Sequence, residues 1–114
     1  MIGIIFEVWP KDGRQEAYLS MAGEMRSLLD DFDGFLSVER FQSLTEPGKL
    51  LSVSFFRDQE AVDRWRNTVA HREAQAMGRQ DFFDNYRIRV VECLRDYSKT
   101  ERTEVPADSL AQHG

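Results

Sequence analysis

Hydrophobic and polar positions repeat with two different periods along this chain. Alternation at every second residue is typical of strands, and apolar residues three and four positions apart are typical of amphipathic helices. In chain order the pattern predicts strand, helix, strand, strand, helix and strand over residues 2–9, 14–32, 35–43, 49–57, 58–78 and 86–97. Turn chemistry supports these boundaries, because Gly34 suits the end of a helix, Pro47-Gly48 suits a hairpin turn and Asp58 suits a helix N-cap.

The order βαββαβ predicts a ferredoxin-like α+β fold, in which a four-stranded antiparallel sheet carries both helices on one face. We expect this domain to span residues 1–97. Residues 98–114 lose hydrophobic side chains and gain polar ones, so we expect a polar tail that is ordered only where it docks. Residues 81–85 are expected to form a short turn or helical connection before the last strand.

Helices on one face leave the other face of such a sheet uncovered. Each predicted strand nevertheless carries apolar residues on both of its faces. Residues expected on the open face are Ile5, Trp9, Leu36, Val38, Leu50 and Phe56. An exposed apolar patch of this kind usually marks an interface, so we expect a homodimer in which two open sheet faces pack together.

Glu7 interrupts the open face of the first strand, where its neighbours Ile5 and Trp9 are large and apolar. A carboxylate in such surroundings either pairs with an arginine or has a raised pKa. The first and last strands are neighbours in this topology, so Arg87 and Arg89 are the expected partners. The simpler interpretation is a structural salt bridge across the dimer.

Composition narrows the range of functions. The 114 residues suit one domain, and 41% of them are hydrophobic. A net charge of -5 argues against binding to nucleic acid or to anionic membranes, and no apolar run approaches the roughly 20 residues of a membrane span. One cysteine, Cys93, and two histidines leave no set of metal ligands. We therefore expect a cytoplasmic protein without a metal site.

Aromatic residues make up 11% of the chain and divide into groups. Periodicity assigns Tyr18, Phe32, Phe41 and Phe55 to the core or its edge, and a further set lies close in sequence to His71. This set consists of Trp65, Phe82, Phe83 and Tyr86. We expect a pocket between the sheet and the two helices. Its expected lining is Phe6, Met21, Met25, Phe55, Trp65, His71 and Tyr86.

His71 is the candidate base, because an imidazole titrates near neutral pH and can accept a proton from a phenol or hydroquinone. It lies four residues after Asn67, on one side of the predicted helix, and Asn67 can hydrogen-bond a substrate carbonyl or a dioxygen-derived anion. Trp65 lines either the pocket or the core. Arg72 and Arg79 can neutralise an anionic substrate. The alternatives are structural: an interface histidine, a solvated asparagine and surface ion pairs.

Phe83 and Tyr86 either close a flat aromatic pocket or seal the core. Together with the residues around His71 they complete a stretch that resembles the antibiotic biosynthesis monooxygenase (ABM) family of small dimeric α+β barrel proteins. The resemblance covers about residues 2–97. It is carried by Trp65-Arg66-Asn67-Thr68, His71-Arg72, Ala74-Gln75, Gly78-Arg79, Phe82-Phe83, Tyr86 and Arg87-Ile88-Arg89-Val90.

The resemblance implies a homodimer that oxidises a small aromatic molecule, such as a quinol or polyketide, with O2 and without a cofactor. His71, Asn67 and Trp65 would then be catalytic, and Phe6, Met25, Phe55, Arg72, Phe83 and Tyr86 would bind substrate. Some relatives instead degrade haem with a first-strand Asn, a helix Trp and a later axial His. Here the first strand has no Asn, and the expected histidine position falls nearer Gln75 than His71. A dimeric small-ligand-binding module without catalysis is the third possibility.

Overall fold

The computed structural model describes residues 1–77 and 82–113. They form four strands and four helices, with a break in the middle of the second predicted helix. The elements are β1 Ile2–Pro10, α1 Gln15–Leu29, β2 Phe35–Gln42, β3 Leu50–Phe56, α2 Gln59–Arg66, α3 Val69–Met77, β4 Phe83–Glu92 and α4 Ala107–His113.

The strands form one antiparallel sheet in the order β2-β3-β1-β4. This is the ferredoxin-like α+β arrangement, so the predicted fold class is confirmed. Ile5 of β1 lies opposite Val53 of β3 and Arg89 of β4, which fixes the register of the three strands. No helix in the described part of the chain is long and apolar enough to cross a membrane.

The helices cover the sheet face that carries the even-numbered residues of β1. Two clusters of buried side chains fill the space between the helices and this face. One contains Leu29, Phe56, Ala61, Val62 and Trp65, and the other contains Val8, Tyr18, Leu50 and Phe82. These clusters form because α1 and α2 turn their apolar stripes toward the sheet and the strands present an apolar face to them.

Three residues expected on the open face lie under the helices instead. Leu50 is paired with Val8 and Phe56 with Ile2, so both point toward the helices, and Val38 is also buried on that side. The prediction was wrong because alternation divides a strand into two faces without saying which face the helices cover. Leu36 is half-exposed where the β2–β3 register shifts.

The open face carries a different apolar set. Ile5 and Trp9 of β1 lie on this face, as expected. The other apolar residues of this face are Phe41, Leu51, Val53, Phe55 and Val91. Phe41 and Phe55 are therefore not core residues between sheet and helices, contrary to the sequence prediction.

The single helix predicted over residues 58–78 is two helices, and Thr68 lies at the break. Its hydroxyl donates a hydrogen bond to the carbonyl of Trp65 over 2.9 Å and accepts one from the backbone N–H of His71 over 3.2 Å. Thr68 is thus the N-cap of α3, as Asp58 is for α2 through a 2.9 Å bond from the N–H of Ala61. Gly78 lies outside the described residues.

The other boundaries differ from the prediction by a few residues. Helix α1 ends at Leu29 rather than at residue 32. Strand β4 begins at Phe83 and ends at Glu92, so most of the connection predicted at 81–85 is strand; Asp81 lies outside the described residues. In the predicted tail, the carbonyl of Glu104 accepts a hydrogen bond from Arg95, which precedes the tail, and α4 follows.

Candidate active site

A cavity of about 350 Å³ lies between the helix-facing side of the sheet and helices α1, α2 and α3. Its volume falls in the usual range for small-molecule sites. Most of the wall is apolar, and the polar lining is concentrated in a few side chains. These are Tyr18, Arg40, Ser52, Ser54, Gln59, Arg66, His71 and Gln75.

Aromatic rings form one end of this site. Phe83 lines the cavity and makes edge-on contacts with Phe6 and Tyr18, with ring centroids 5.8 and 5.3 Å apart. Tyr86 contacts the rings of Phe6 and Phe83 at 6.1 and 6.2 Å and is 40% exposed. Such edge-to-face contacts hold flat side chains in fixed orientations, which gives this end a rigid aromatic wall.

Trp65 and His71 form the wall contributed by α2 and α3. Trp65 is 6% exposed, lines the cavity and packs edge-on against Phe32 at 5.4 Å. The imidazole of His71 lies against the indole, with ring centroids 5.3 Å apart. Trp65 is therefore a core residue and a cavity residue at once, so the two alternatives drawn from the sequence are compatible.

The imidazole of His71 is a partly buried base. Burial is the main cause that lowers its pKa below 6.5, and the positive charges of Arg66 and Arg72 act in the same direction, while the backbone of Arg66 opposes them. Its Nδ1 is buried without a hydrogen-bond partner among the described residues. At neutral pH the ring is thus uncharged and has one nitrogen whose hydrogen-bonding capacity is unused.

Arg40 brings a positive charge to the same cavity from β2. Its Nε is buried without a hydrogen-bond partner among the described residues. The phenol of Tyr18 lies close by and is 3% exposed. Burial raises the pKa of Tyr18, and the charge of Arg40 together with its hydrogen bond to the phenol partly offsets this. Tyr18 is therefore a neutral hydrogen-bonding group at physiological pH.

The structure places the predicted site residues Asn67 and Arg72 outside this cavity. Asn67 donates a hydrogen bond to the carbonyl of Asp63 over 2.8 Å, and its side-chain oxygen accepts one from Arg72. Both side chains are exposed and neither lines the cavity. The break at Thr68 removes the continuous helix that would have placed Asn67 and His71 on one side. Arg79 lies outside the described residues.

Phe55 was expected to line the pocket, but it lies on the open face of the sheet, opposite Gly3. Phe6, Met21, Met25, Trp65 and His71 do line it, whereas Tyr86 does not and only contacts the lining rings of Phe6 and Phe83. The pattern did not identify Arg40 as a site residue. The sequence does contain an indication of this position, because strand alternation places Arg40 on the same face of β2 as the apolar Val38, which is buried.

Glu7 pairs within its own protomer. Its carboxylate contacts Arg89 of β4 and lies 2.6 Å from Nζ of Lys49. The Arg89 partner was predicted, whereas Lys49, at the end of the hairpin turn, was not. The hydrogen bond from Lys49 is the main cause that lowers the pKa of Glu7; the bond to Arg89 and the charges of Lys49 and Arg89 add to it, and burial opposes them.

Comparison with known families decides the classification. The sequence profile of the family described as antibiotic biosynthesis monooxygenase matches residues 1–77, about two thirds of the chain. The chain belongs to this family. The predicted family resemblance is thereby confirmed.

Two curated relatives of this ABM chain show how far the similarity extends. A jasmonate monooxygenase from Pyricularia oryzae is 40% identical over 90 residues, which are 79% of this chain and 42% of the relative. The ABM chain thus spans less than half the length of that fungal protein. An uncharacterized protein, YqjZ from Bacillus subtilis, is 30% identical over 93 residues, which are 82% of this chain and 80% of the relative.

Solved structures share the fold of this ABM domain. Rv0793 from Mycobacterium tuberculosis superposes with a TM-score of 0.76 and 18% identity over 85% of this chain and 98% of that one. SO0527 from Shewanella oneidensis gives a TM-score of 0.73 with 18% identity over 79% and 87% of the two chains. At 18% identity these structures support the fold of the ABM domain, but they say nothing about its substrate or its site residues.

The groups available for a metal or cofactor in this ABM domain are few. Within residues 1–77 and 82–113 no three His, Cys, Asp or Glu side chains are grouped so that they could hold a metal ion. The resemblance to haem-degrading relatives implies an Asn on the first strand. The β1 residues that face the cavity are Ile4 and Phe6, both apolar, so the lining does not fit that chemistry.

Proposed function

We propose that this ABM domain is a cofactor-independent monooxygenase that oxidises a small aromatic substrate with O2 inside the cavity. The observation that carries the proposal is His71, an uncharged base with a buried, unpartnered Nδ1, whose side chain lines a cavity with apolar and aromatic walls. Membership of the family and the monooxygenase name of the fungal relative support the same class of reaction.

The first step is removal of a proton from the substrate. A general base must be deprotonated at the working pH, and the lowered pKa of His71 keeps its imidazole deprotonated near neutral pH. A phenol, hydroquinone or activated ring methylene placed beside Nδ1 would become an electron-rich anion. The apolar wall of Phe6, Met25 and Phe83 would hold a flat ring in place.

The second requirement is stabilisation of the anion until it meets O2. Arg40 and the hydroxyl of Ser52 line the cavity and can stabilise a negative charge there. Such interactions are stronger where the substrate displaces water. Delocalised carbanions of this kind reduce O2 directly. For a ring methylene the balance closes without another reductant, since CH2 and O2 give C=O and H2O.

The fungal relative is named for jasmonate, so jasmonate is included among the substrates to be tested. A suitable panel also contains an anthrone and a naphthohydroquinone. Oxygen consumption is measured with and without protein, and the oxidised product is identified by mass spectrometry. We expect His71→Gln to lower kcat by about 100-fold or more, since general bases contribute at least this much. Arg87→Gln, on the open face, is the matched control and should retain the rate.

If no member of the panel consumes oxygen faster with protein than without, the monooxygenase proposal fails for these classes. Binding of the same compounds without turnover would favour the non-catalytic ligand-binding module. Addition of haem tests the remaining candidate, because axial ligation by His71 would shift the Soret band and His71→Ala would abolish that shift.

We also propose that a second copy of the chain covers the open face. This face places Ile5, Leu51, Val53 and Phe55 side by side, with Phe41 45% exposed at its edge. Such a continuous apolar surface is unusual on a monomer. The homodimer that the family resemblance implies supports the same arrangement.

A further inference from the structure

We propose that the cavity binds apolar ligands that carry a carboxylate, and that the guanidinium of Arg40 is the group that contacts this carboxylate. The inference deepens the proposed function, on which it rests for placing the substrate in this cavity. It specifies the chemical class of the substrate and a binding residue that the sequence pattern did not identify.

Arg40 differs from the arginines of this chain that pair with carboxylates. Arg57 contacts Asp33 and Asp58, Arg26 contacts Asp30, and Arg89 contacts Glu7. Arg40 forms no salt bridge with any carboxylate in the described ranges, and its buried Nε has no hydrogen-bond partner there. The charge of Arg40 thus has no counter-charge in the described part of the chain, and a ligand whose carboxylate reaches the guanidinium in the cavity would supply one.

The electrostatic character of the cavity points the same way. The chain has 20 acidic and 15 basic residues, yet the described lining contains the cations Arg40 and Arg66, the uncharged His71 and no Asp or Glu. Acidic side chains are therefore kept out of the cavity of an acidic protein. A cavity with this lining favours anions over cations and neutral molecules.

The geometry around Arg40 favours a carboxylate in particular. A guanidinium is planar and presents paired N–H groups that match the two oxygens of a carboxylate. Ser52 lies opposite Arg40 across β2 and β3 and lines the same cavity, and the phenol of Tyr18 is also near. Both hydroxyl groups can donate hydrogen bonds to the same anion. The remaining wall is apolar and suits the hydrocarbon part of the ligand.

The test compares an acid with its uncharged counterpart. Binding of 2-naphthylacetate and 2-naphthylacetamide to the full chain is measured by isothermal titration calorimetry at pH 8, where the acid is ionised. We expect the acid to bind about tenfold more tightly or better. In Arg40→Gln this preference should fall to about twofold or less, while the affinity for the amide changes little.

Matched variants separate Arg40 from the other cations. Arg87→Gln removes a positive charge from the open face and should keep the preference for the acid. Arg40→Lys keeps the charge without the planar fork and should retain part of the preference, which also covers the case in which Arg40→Gln does not fold. Equal binding of acid and amide by the unmodified chain would overturn the proposal. So would a preference that persists in Arg40→Gln or disappears in Arg66→Gln alone.

Decanoate and decanamide form a second pair that distinguishes aliphatic from aromatic acids, and an acid preference in either pair supports the proposal. These measurements need no turnover, so they can fail independently of the proposed function. Acid-selective binding without oxygen consumption by any substrate would leave the Arg40 assignment standing and remove the monooxygenase. Oxygen consumption without acid selectivity would support the monooxygenase proposal and overturn the Arg40 assignment.

Discussion

The indole of Trp65 and the imidazole of His71 are in contact across the break between α2 and α3, with ring centroids 5.3 Å apart and planes inclined at 54°. The two residues are six positions apart, and Thr68 between them ends one helix and begins the next. The break therefore determines how the candidate base meets the aromatic wall of the cavity.

This contact allows the protonation of His71 to be followed by fluorescence. A charged imidazolium beside an indole quenches its emission, and Trp9→Phe leaves Trp65 as the only indole. Because burial lowers the pKa of His71, we expect the transition midpoint below pH 6.5. His71→Gln in the same background should remove the transition. A midpoint above pH 6.5 would contradict the burial of the ring.

The same shift affects stability. Below pH 6.5 the unfolded chain gains a proton on His71 that the folded chain resists until the pH passes its lower folded pKa. The free energy of unfolding should therefore decrease as the pH falls through this window, and level off with respect to His71 below it. Urea titrations across this range should show that the free energy of unfolding depends less on pH in His71→Gln than in the unmodified chain. The same pH dependence in both proteins would refute the prediction.

The hydroxyl of Thr68 should stabilise the start of α3. Thr68→Val removes the acceptor for the N–H of His71 with little change in volume, and we expect a loss of about 0.5–2 kcal/mol. Thr68→Ser keeps the hydroxyl and is the control. Chemical denaturation measures both changes. If Thr68→Val proves as stable as the serine variant, the cap contributes nothing.

Gly34 is held in a conformation that other residues adopt poorly. Its φ is +93°, and a Cβ built there would lie 2.5 Å from the Cβ of Ala61. We expect Gly34→Ala to lower the free energy of unfolding by about 1–3 kcal/mol. Gly23 lies in α1 with open space around it, so Gly23→Ala should instead stabilise by about 0.5–1 kcal/mol. Thermal denaturation of the two variants should move in opposite directions.

The ion pairs of Glu7 should stabilise the fold only where the carboxylate is charged. Its pKa is lowered in the folded state, so the contribution is present above its ordinary value of 4.5 and is lost as the pH falls through the folded value. We expect Glu7→Gln to be less stable than the unmodified chain at pH 7 and equally stable in strong acid. A stability difference that does not change with pH would point to packing.

The proposed dimer is tested by Val53→Asp, which places a carboxylate between Ile5 and Glu39 in the middle of the open face. Sedimentation velocity at micromolar concentration should give a dimer for the unmodified chain and a monomer for the variant. Ser27→Ala on α1 is a control away from this face and should leave the association unchanged. A monomeric unmodified chain would exclude the arrangement.

Local pattern was enough to identify the architecture. Alternation in 2–9, 35–43 and 49–57 and the helical period of 14–32 are properties of neighbouring residues, and the order of the elements leaves few topologies. Membership of the ABM family could also be recognised from the residues around Trp65 and His71. Asp58 as an N-cap and Arg89 as a partner of Glu7 followed from the same local logic.

What depended on distant parts of the chain was decided only by the tertiary structure. Period-two alternation is the same whether Leu50 and Phe56 or Leu51 and Phe55 face the helices, and the pairing of β3 with β1 makes that choice. The hydroxyl of Thr68 interrupts a helix that the apolar period would continue. The position of Arg40 in the cavity depends on α1 folding over β2. The sequence by itself thus determined the elements, their order and the family, because these depend on short-range periodicity. The composition of the cavity was settled only when strand register and helix packing brought residues far apart in the chain to one site.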